Sequence, residues 1–300
     1  MRKRTRWTLL VAVAIVLVVG LVAGFSGFMS FRKTEKEIRA HFEARGQALP
    51  EFLEIEDGTG RIFVAYKGDL QSPTVVFVHG SPGSWDNFIH MLSDESLNSR
   101  YTVAAVDRPG FGRSRPSRAE PSLEIQARRI HDAVTGAGLG LPAIWVGHSL
   151  GGPVVARLAV DFPNAARGLV LVAPSMDPEL EELKWYNYLA KFPLFRWGLS
   201  RAWRNSNDEI FPHRSELELL EKELSEIRCP TIVLQGDRDE LVPPGNADYV
   251  KRKFLNAPVD LRMLSGANHF IPWTRPEQIK QAVADLQART QAPAETEPGS

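Results

Sequence analysis

A serine between two glycines is the residue of this 300-residue chain whose surroundings most clearly indicate chemistry. Ser149 is the centre of a Gly-x-Ser-x-Gly sequence that follows the apolar run 144–146 and precedes a helical pattern. A strand, a sharp turn and a helix in this order form a nucleophile elbow, which projects the serine hydroxyl from the edge of a sheet. The helix also directs the free N–H of Leu150 toward developing negative charge. We therefore predict that Ser149 is a nucleophile and Leu150 an oxyanion donor. A Gly-rich turn with a capping serine is the alternative.

A serine hydroxyl needs a base, and a neutral imidazole held in one tautomer by a carboxylate suits it. Of the seven histidines, His213 and His269 follow Ser149 in the chain. His213 falls in a helical stretch and precedes the candidate acids, whereas His269 follows the predicted strand 259–264. Ligands gather outside the carboxyl ends of parallel strands. These positions favour His269 as the base.

The loop after the predicted strand 231–234 contains three candidate acids, Asp237, Asp239 and Glu240. Any of these carboxylates is close enough in the chain to the end of the strand to reach an imidazole at the same sheet edge. Asp237 follows the strand almost at once and is also suited to capping the turn. The residues by themselves leave this choice open.

The second oxyanion donor is expected from the loop that follows the apolar run 74–78. Ser81 offers a backbone N–H there, whereas Pro82 has none to give. Loss of one such donor typically costs about 2.7–4 kcal/mol of transition-state stabilisation. We predict the Ser81 and Leu150 amides as the pair.

Strand-like runs alternate with helical patterns along most of the chain. The eight runs cover 51–56, 61–66, 74–78, 101–106, 144–146, 168–173, 231–234 and 259–264. The first two are joined through Asp57 and Gly58, a pair typical of a hairpin. The later runs are continuously apolar, as in buried parallel strands. The spacing predicts a doubly wound, mostly parallel α/β sheet with helices on both faces.

The alternation breaks between Pro174 and about Arg228, where the chain is mainly helical and rich in aromatic residues. The sheet pattern resumes immediately afterwards. We therefore predict a helical cap over about 175–228, inserted into the sheet domain. The alternative is a set of core helices that pack on one another.

Five ordered motifs, spread over roughly residues 52–289, resemble those of the α/β-hydrolase fold superfamily. They are His79–Gly83, Asp107–Ser114, Gly147–Gly152, Gly236–Asp239 and Gly266–His269. The resemblance implies a Ser-His-Asp triad, and it favours Asp239 because the acid in this family commonly stands three residues past the glycine. The family's dehalogenases and epoxide hydrolases carry Asp at the elbow, so Ser149 argues against both. Arg108 and Arg113 are expected to be structural.

The expected reaction is hydrolysis of a carboxylic ester, apolar or lipid-derived, through an acyl-enzyme. A proline-type aminopeptidase and a carbon–carbon bond hydrolase are the alternatives within the fold. Relatives of the aminopeptidases usually show a second Gly after His-Gly, where this chain has Ser81. A membrane-tethered binding protein with a degenerate hydrolase domain is a more distant alternative.

The N-terminus differs in composition from the rest of the chain. Four basic residues within 2–6 precede an uncharged run from Trp7 to Phe31, which is longer than the roughly 20 residues that cross a bilayer. We predict an uncleaved, single-pass transmembrane helix over 7–31, with a cleavable signal as the alternative. The basic tail favours the cytoplasmic side, which places the catalytic domain on the outer, periplasmic or extracytoplasmic, face.

The remaining divisions are a charged stalk over 32–50, a hydrolase domain over 51–290 and a disordered tail over 291–300. The formal net charge is +0, which gives no reason to expect nucleic acid as a partner. Cys229 is the single cysteine and forms no disulfide within the chain. Because the sequence has neither metal-ligand spacing nor a phosphate-binding Gly-rich loop, no metal or cofactor is expected.

Overall fold

The computed structural model describes residues 31–56 and 58–291, together with Gly20 and Gly24. No helix within this part of the chain is long and apolar enough to cross a membrane. The predicted transmembrane helix over 7–31 lies almost entirely outside the described residues, and the predicted disordered tail lies outside them from residue 292. Both therefore stay predictions.

Eight strands form one sheet in the order β1-β2-β4-β3-β5-β6-β7-β8, which confirms the predicted eight-stranded, mostly parallel architecture. The strands are β1 (Glu51–Glu56), β2 (Arg61–Lys67), β3 (Thr74–Val78), β4 (Thr102–Asp107), β5 (Ala143–His148), β6 (Ala166–Val172), β7 (Thr231–Gly236) and β8 (Val259–Leu264). β1 and β2 form the predicted antiparallel hairpin, β2 also pairs antiparallel with β4, and the other pairs are parallel. The carboxyl ends of the parallel strands therefore share one edge.

Helices connect these strands and cover both faces of the sheet. They are α1 (Glu35–Glu43), α2 (Ile89–Leu92), α3 (Glu95–Asn98), α4 (Leu123–Gly136), α5 (Gly151–Asp161), α6 (Trp185–Lys191), α7 (Pro193–Gly198), α8 (Arg201–Glu221), α9 (Gly245–Lys253), α10 (Ile271–Thr274) and α11 (Pro276–Gln291). Side chains alternate between the two faces of a strand. Accordingly, Val76 and Val78 of β3 join one hydrophobic cluster, and Val75 and Phe77 join the other. The continuous apolar runs in the sequence reflect strands that are buried on both faces.

The stretch 32–50, predicted as a stalk, packs against the domain. Thr34 caps α1, and its side chain and that of Glu37 bind each other's backbone N–H groups. Phe42 near the end of α1 is fully buried in the cluster that contains Phe63. Although the stretch 32–50 is rich in charged residues, its one buried aromatic side chain, Phe42, fixes this helix to the sheet.

The connection between β6 and β7 is helical and contains α6, α7 and α8, as predicted for the cap. The buried residues of α8 recur mostly at a spacing of four, which defines the face that it turns toward the sheet. Five of these seven buried residues are polar and two are apolar: Asn205, Ser206, Asn207, Glu209 and His213 against Leu217 and Leu220. Polar side chains of the cap are thus buried between the cap and the sheet domain.

Candidate active site

Ser149 occupies a strained turn between β5 and α5. Its φ of 54° lies in the left-handed region, which costs a residue with a side chain about 1–3 kcal/mol. The turn is held by Ser149 N–H donating to Val172 O at 2.9 Å and by Gly152 N–H donating to Ser149 O at 2.8 Å. A Cβ at Gly147 would overlap the carbonyl oxygen of Gly151, so the motif needs glycine for close passage of strand and helix. This is the elbow geometry that the sequence predicts.

The loops after β7 and β8 bring a carboxylate and an imidazole together. His269 Nδ1 lies 2.8 Å from Asp239 Oδ2, and both residues are buried. Asp239 Oδ1 also accepts hydrogen bonds from the backbone N–H groups of Leu241 at 3.0 Å and Val242 at 2.8 Å. A carboxylate accepts the Nδ1 proton, so Nε2 of His269 is the ring nitrogen left to act as a base.

The other two candidate acids lie elsewhere. Asp237 is exposed, and its Oδ1 accepts a hydrogen bond from Gly266 N–H at 2.7 Å, which ties the β7 loop to the β8 loop. Glu240 is exposed as well. Asp237 therefore positions the loop that carries His269, while Asp239 contacts the imidazole itself.

His148 links the elbow to the histidine loop. Its ring centroid lies 4.9 Å from that of His269, and its Nε2–H donates to the carbonyl oxygen of His269 at 3.0 Å. Burial, with a smaller contribution from His269, lowers the pKa of His148 to about 3, so the ring is a neutral donor. Because His148 precedes Ser149 directly, this bond holds the candidate base at the same sheet edge as the candidate nucleophile.

The loop after β3 lies directly against the elbow. A Cβ built at Gly80 would stand 2.8 Å from the Cβ of Ser149. Arg108 holds this loop by donating from Nε to His79 O and from Nη2 to Gly80 O, both at 2.9 Å. In a trans peptide the C=O and the following N–H point in opposite directions. With the Gly80 carbonyl bound to Arg108, the Ser81 N–H is fixed facing away from Arg108.

Arg108 also joins this loop to the cap. Its guanidinium donates to both carboxylate oxygens of Glu209 on α8, each at 2.9 Å, and to Gln126 Oε1 at 2.7 Å. Arg108 and Glu209 are almost fully buried. The expectation that Arg108 is structural fits this network, but no sequence motif pointed to Glu209, which is 101 residues away.

A second polar cluster lies between the elbow and the cap. Ser175 N–H donates to Ser149 O at 3.3 Å, and the Ser175 hydroxyl contacts Glu181 and, at 3.1 Å, Nε2 of His213. Burial lowers the pKa of His213. Sequence reasoning placed His213 in the cap without a partner; its burial among Ser175 and Glu181 depends on tertiary packing that no local pattern reports.

Comparisons with known proteins agree with this architecture. A family model described as the alpha/beta hydrolase fold matches residues 73–213. A dihydrolipoyllysine-residue acetyltransferase component from Cupriavidus necator is 39% identical over 38% of this chain, which spans 29% of that protein. The mouse sn-1-specific diacylglycerol lipase ABHD11 is 22% identical over 74% of this chain and 83% of its own length. A 2-hydroxy-6-oxononadienedioate hydrolase from Burkholderia vietnamiensis is 27% identical over 78% of this chain and 94% of its own length.

Solved structures show the same fold. A membrane phospholipase A superimposes with a TM-score of 0.66 at 22% identity, covering 97% of this chain and 99% of that one. A carboxylesterase from Bacillus subtilis gives a TM-score of 0.61 at 16% identity, covering 85% of this chain and 97% of that one. With the sheet order, the elbow and the family match taken together, the chain has the α/β-hydrolase fold.

Proposed function

We propose that the protein is a serine hydrolase that cleaves carboxylic esters through an acyl-enzyme on Ser149. The observation that carries the proposal is the hydrogen bond of 2.8 Å between His269 and Asp239 at the sheet edge that also bears the elbow serine. Ester hydrolysis is also the activity named for the mouse lipase and the bacterial carboxylesterase.

The proposed reaction has two halves. Ser149 Oγ attacks the ester carbonyl carbon while Nε2 of His269 takes the hydroxyl proton, which it then gives to the departing alcohol. Water next attacks the acyl-enzyme and gives a proton to the same nitrogen, which returns that proton to Ser149 Oγ as the carboxylic acid leaves. Asp239 accepts a hydrogen bond from His269 Nδ1–H throughout, and its negative charge stabilises the imidazolium that forms in each half.

Two backbone amides are proposed to bind the oxyanion. Leu150 precedes the first residue of α5, where a helix has N–H groups without intrahelical partners and a partial positive charge. The Ser81 N–H is supported as the second donor because Arg108 fixes its peptide plane and because Gly80 lies against Ser149. Amides that are fixed before the reaction need no reorganisation as charge develops.

An uncharged, apolar or lipid-derived substrate is the favoured class. Arg108, a buried cation at the oxyanion loop, is already neutralised by Glu209 and is therefore a poor partner for a substrate carboxylate. The rings of Phe270 and Trp273 lie beside His269 and His148, at 6.0 and 5.7 Å between centroids. Both features favour an ester whose acyl part carries no charge.

Carbon–carbon bond hydrolysis is the second candidate, and it is favoured by the 2-hydroxy-6-oxononadienedioate hydrolase that aligns over 78% of this chain. A panel that includes neutral esters, an anilide, N-terminal proline amides and 2-hydroxy-6-oxodienoates separates the alternatives. We expect the highest kcat/KM on the esters. Turnover confined to the dienoates would replace the ester proposal.

Labelling with a fluorophosphonate probe tests the nucleophile. We expect the full chain to be labelled and to hydrolyse p-nitrophenyl esters, and Ser149→Ala to lose both properties. Ser99→Ala, at an exposed serine outside the site, is the matched control and should keep both. Labelling that persists in Ser149→Ala would remove the proposed mechanism.

The uncharged run over 7–31 supports a proposed membrane anchor with the catalytic domain on the outer face. We expect the full chain to resist extraction by alkaline carbonate and to be released by detergent. A chain that begins at Phe31 should instead be extracted. Alkaline phosphatase fused after residue 291 should be active if the domain is exported, and inactive fusions would contradict the orientation.

A further inference from the structure

The outer surface of the cap exposes more large apolar side chains than any other stretch of similar length in the described chain. Twelve large apolar residues are exposed among the described residues, and six of them fall within 13 positions of α6 and α7. These six are Trp185, Tyr186, Tyr188, Leu189, Phe192 and Trp197, and we call them the cap aromatic face. A soluble domain rarely leaves such a concentration facing water, and larger apolar patches mark interaction sites.

Helix α6 has the reverse arrangement of an ordinary surface helix, because its apolar side chains are exposed and a polar side chain is buried. Trp185, Tyr188, Leu189 and Phe192 follow the spacing of one helical stripe, and they are 73%, 58%, 39% and 64% exposed. The polar Asn187 is instead buried and donates to Asn207 at 3.0 Å. The apolar stripe is therefore directed outward by a specific polar contact beneath it.

The segment that carries this face has basic side chains and no acidic ones, and acidic residues occur only at its two ends. Between Glu182 and Asp208 the chain contains five basic residues and no acidic one. Three of the five are held in place by neighbours: Lys184 by Glu182, Lys191 by the ring of Phe211, and Arg196 by Asp208. Exposed Trp and Tyr interleaved with Lys and Arg are the composition of segments that lie in the interface of an anionic bilayer.

The N-terminal end of the continuously described chain lies close to this face. The ring of Phe31 is 6.1 Å from that of Trp203 in the first turn of α8. Hydrogen bonds from Asn87 Nδ2 to Phe31 O at 2.6 Å and from Lys33 N–H to Asp86 at 2.7 Å fix the chain there. Trp197 is six residues from Trp203, so their Cα atoms are at most about 22 Å apart.

From these observations we infer that the cap aromatic face docks on the surface of a lipid bilayer that carries anionic lipids. The uncharged run that ends at Phe31 would hold the same membrane next to α8, within reach of Trp197. A second copy of the chain is a poorer occupant, because symmetric contact would bring two basic faces together. This inference concerns the surface of the cap and does not depend on the chemistry at Ser149.

Two labelled variants of the full chain test the docking. In a Cys229→Ala background, Trp197→Cys and Leu255→Cys each receive an environment-sensitive NBD fluorophore. Trp197 and Leu255 are 76% and 74% exposed, but Leu255 precedes β8 and lies at the opposite edge of the sheet from the catalytic loops. Both proteins are reconstituted into vesicles of phosphatidylcholine and phosphatidylglycerol that contain a nitroxide-labelled lipid. Phe192→Cys, labelled and reconstituted in the same way, is a third variant that guards against a local effect at residue 197.

We expect the labels at 197 and 192 to shift their emission to the blue and to be quenched at least about threefold more than the label at 255. Equal quenching in vesicles that carry the protein would overturn the docking. Protection of the 197 label from aqueous iodide without quenching by lipid would indicate contact with a second copy of the chain and would also overturn it. Flotation with the vesicles reports the anchor separately, and its loss in every variant would overturn both proposals.

Discussion

At the carboxyl edge of the sheet, ionisable side chains are buried and paired, whereas on the outer face of the cap aromatic side chains are exposed. Arg108, Asp239 and His148 are each at most 5% exposed, and each has named hydrogen-bond partners. Phe192 and Trp197 are mostly exposed. In low-dielectric surroundings, the electrostatic interactions and hydrogen bonds of a buried group are stronger than in water. Groups held in fixed positions can use these interactions to stabilise a transition state, so the sheet edge is suited to catalysis. The cap face has the opposite character and is suited to contact with an apolar environment.

The largest expected effect lies at the sheet edge, between two aspartates that are two residues apart. Asp239→Asn should lower kcat about 10⁴-fold, because an amide cannot hold His269 in the required tautomer. Asp237→Asn is the matched control and should lower kcat less than about tenfold, since its amide oxygen can still accept from Gly266. Ester hydrolysis by both variants is measured under identical conditions. Equal losses, or a larger loss at Asp237, would show that the acid has been misassigned.

The ion pair that joins the two regions should give the next largest effect. Glu209→Gln leaves Arg108 charged and buried, so we expect a loss of about 3 kcal/mol in the free energy of unfolding. A lower kcat with little change in KM should accompany it, because the loop after β3, which carries the proposed oxyanion donor Ser81, loses its fixed support. Glu223→Gln breaks the half-exposed pair with Arg157 and should cost less than about 1 kcal/mol. The free energy of unfolding of both variants is measured by urea denaturation. If Glu209→Gln lost no more of it than Glu223→Gln, the buried Arg108 would not depend on its carboxylate partner.

Acidification should destabilise the sheet edge through His148. Its pKa is about 3 in the folded chain and near 6.5 when unfolded, so between these values the unfolded state binds a proton that the folded state does not. The free energy of unfolding therefore falls as pH falls, by up to about 1.4 kcal/mol per pH unit for this group. His148→Gln should remove this contribution and flatten the pH dependence of the urea midpoint.

Asp107 acts in the opposite sense within a narrower window. Burial raises its pKa to about 6, so from pH 6 down to 3.8 the folded state holds a proton that the unfolded state has released. This contribution raises stability as pH falls. If the urea midpoint of His148→Gln fell more steeply on acidification than that of the parent chain, the role of His148 would be contradicted.

The smallest effect is expected on the cap face. Trp197→Ser should change the free energy of unfolding by less than about 0.5 kcal/mol in detergent solution, because its side chain already faces outward. Trp145→Ala, in the middle of β5, should cost about 3–5 kcal/mol because that ring is fully buried. If Trp197→Ser were as destabilising as Trp145→Ala, the cap face would be part of the core.

The sequence predicted the sheet well because its parallel strands are buried on both faces and appear as uninterrupted apolar runs. β1, β3 and β8 coincide with their predicted limits, and the other strands differ by one or two residues at one or both ends. The elbow was predicted from local spacing, since close passage of strand and helix requires glycine at 147 and 151. The choice among Asp237, Asp239 and Glu240 needed the family resemblance, because only the fold of the loop separates the three carboxylates.

Two features had no local signal. Glu209 pairs with Arg108 across 101 residues, and the pairing exists only once α8 has packed over the sheet edge. The packing of 32–50 against the domain could not be predicted from composition, because one buried phenylalanine, Phe42, hardly changes the composition of a charged stretch. Long-range pairing and single anchoring side chains are what a one-dimensional pattern reports least.

Peptide mapping of the fluorophosphonate adduct by mass spectrometry tests the central claim most directly. We predict one adduct per chain, on the peptide that contains Ser149, and its formation should be suppressed in His269→Ala. An adduct on Ser175, whose hydroxyl contacts His213 close by, or a chain that takes up no probe while folded, would contradict it.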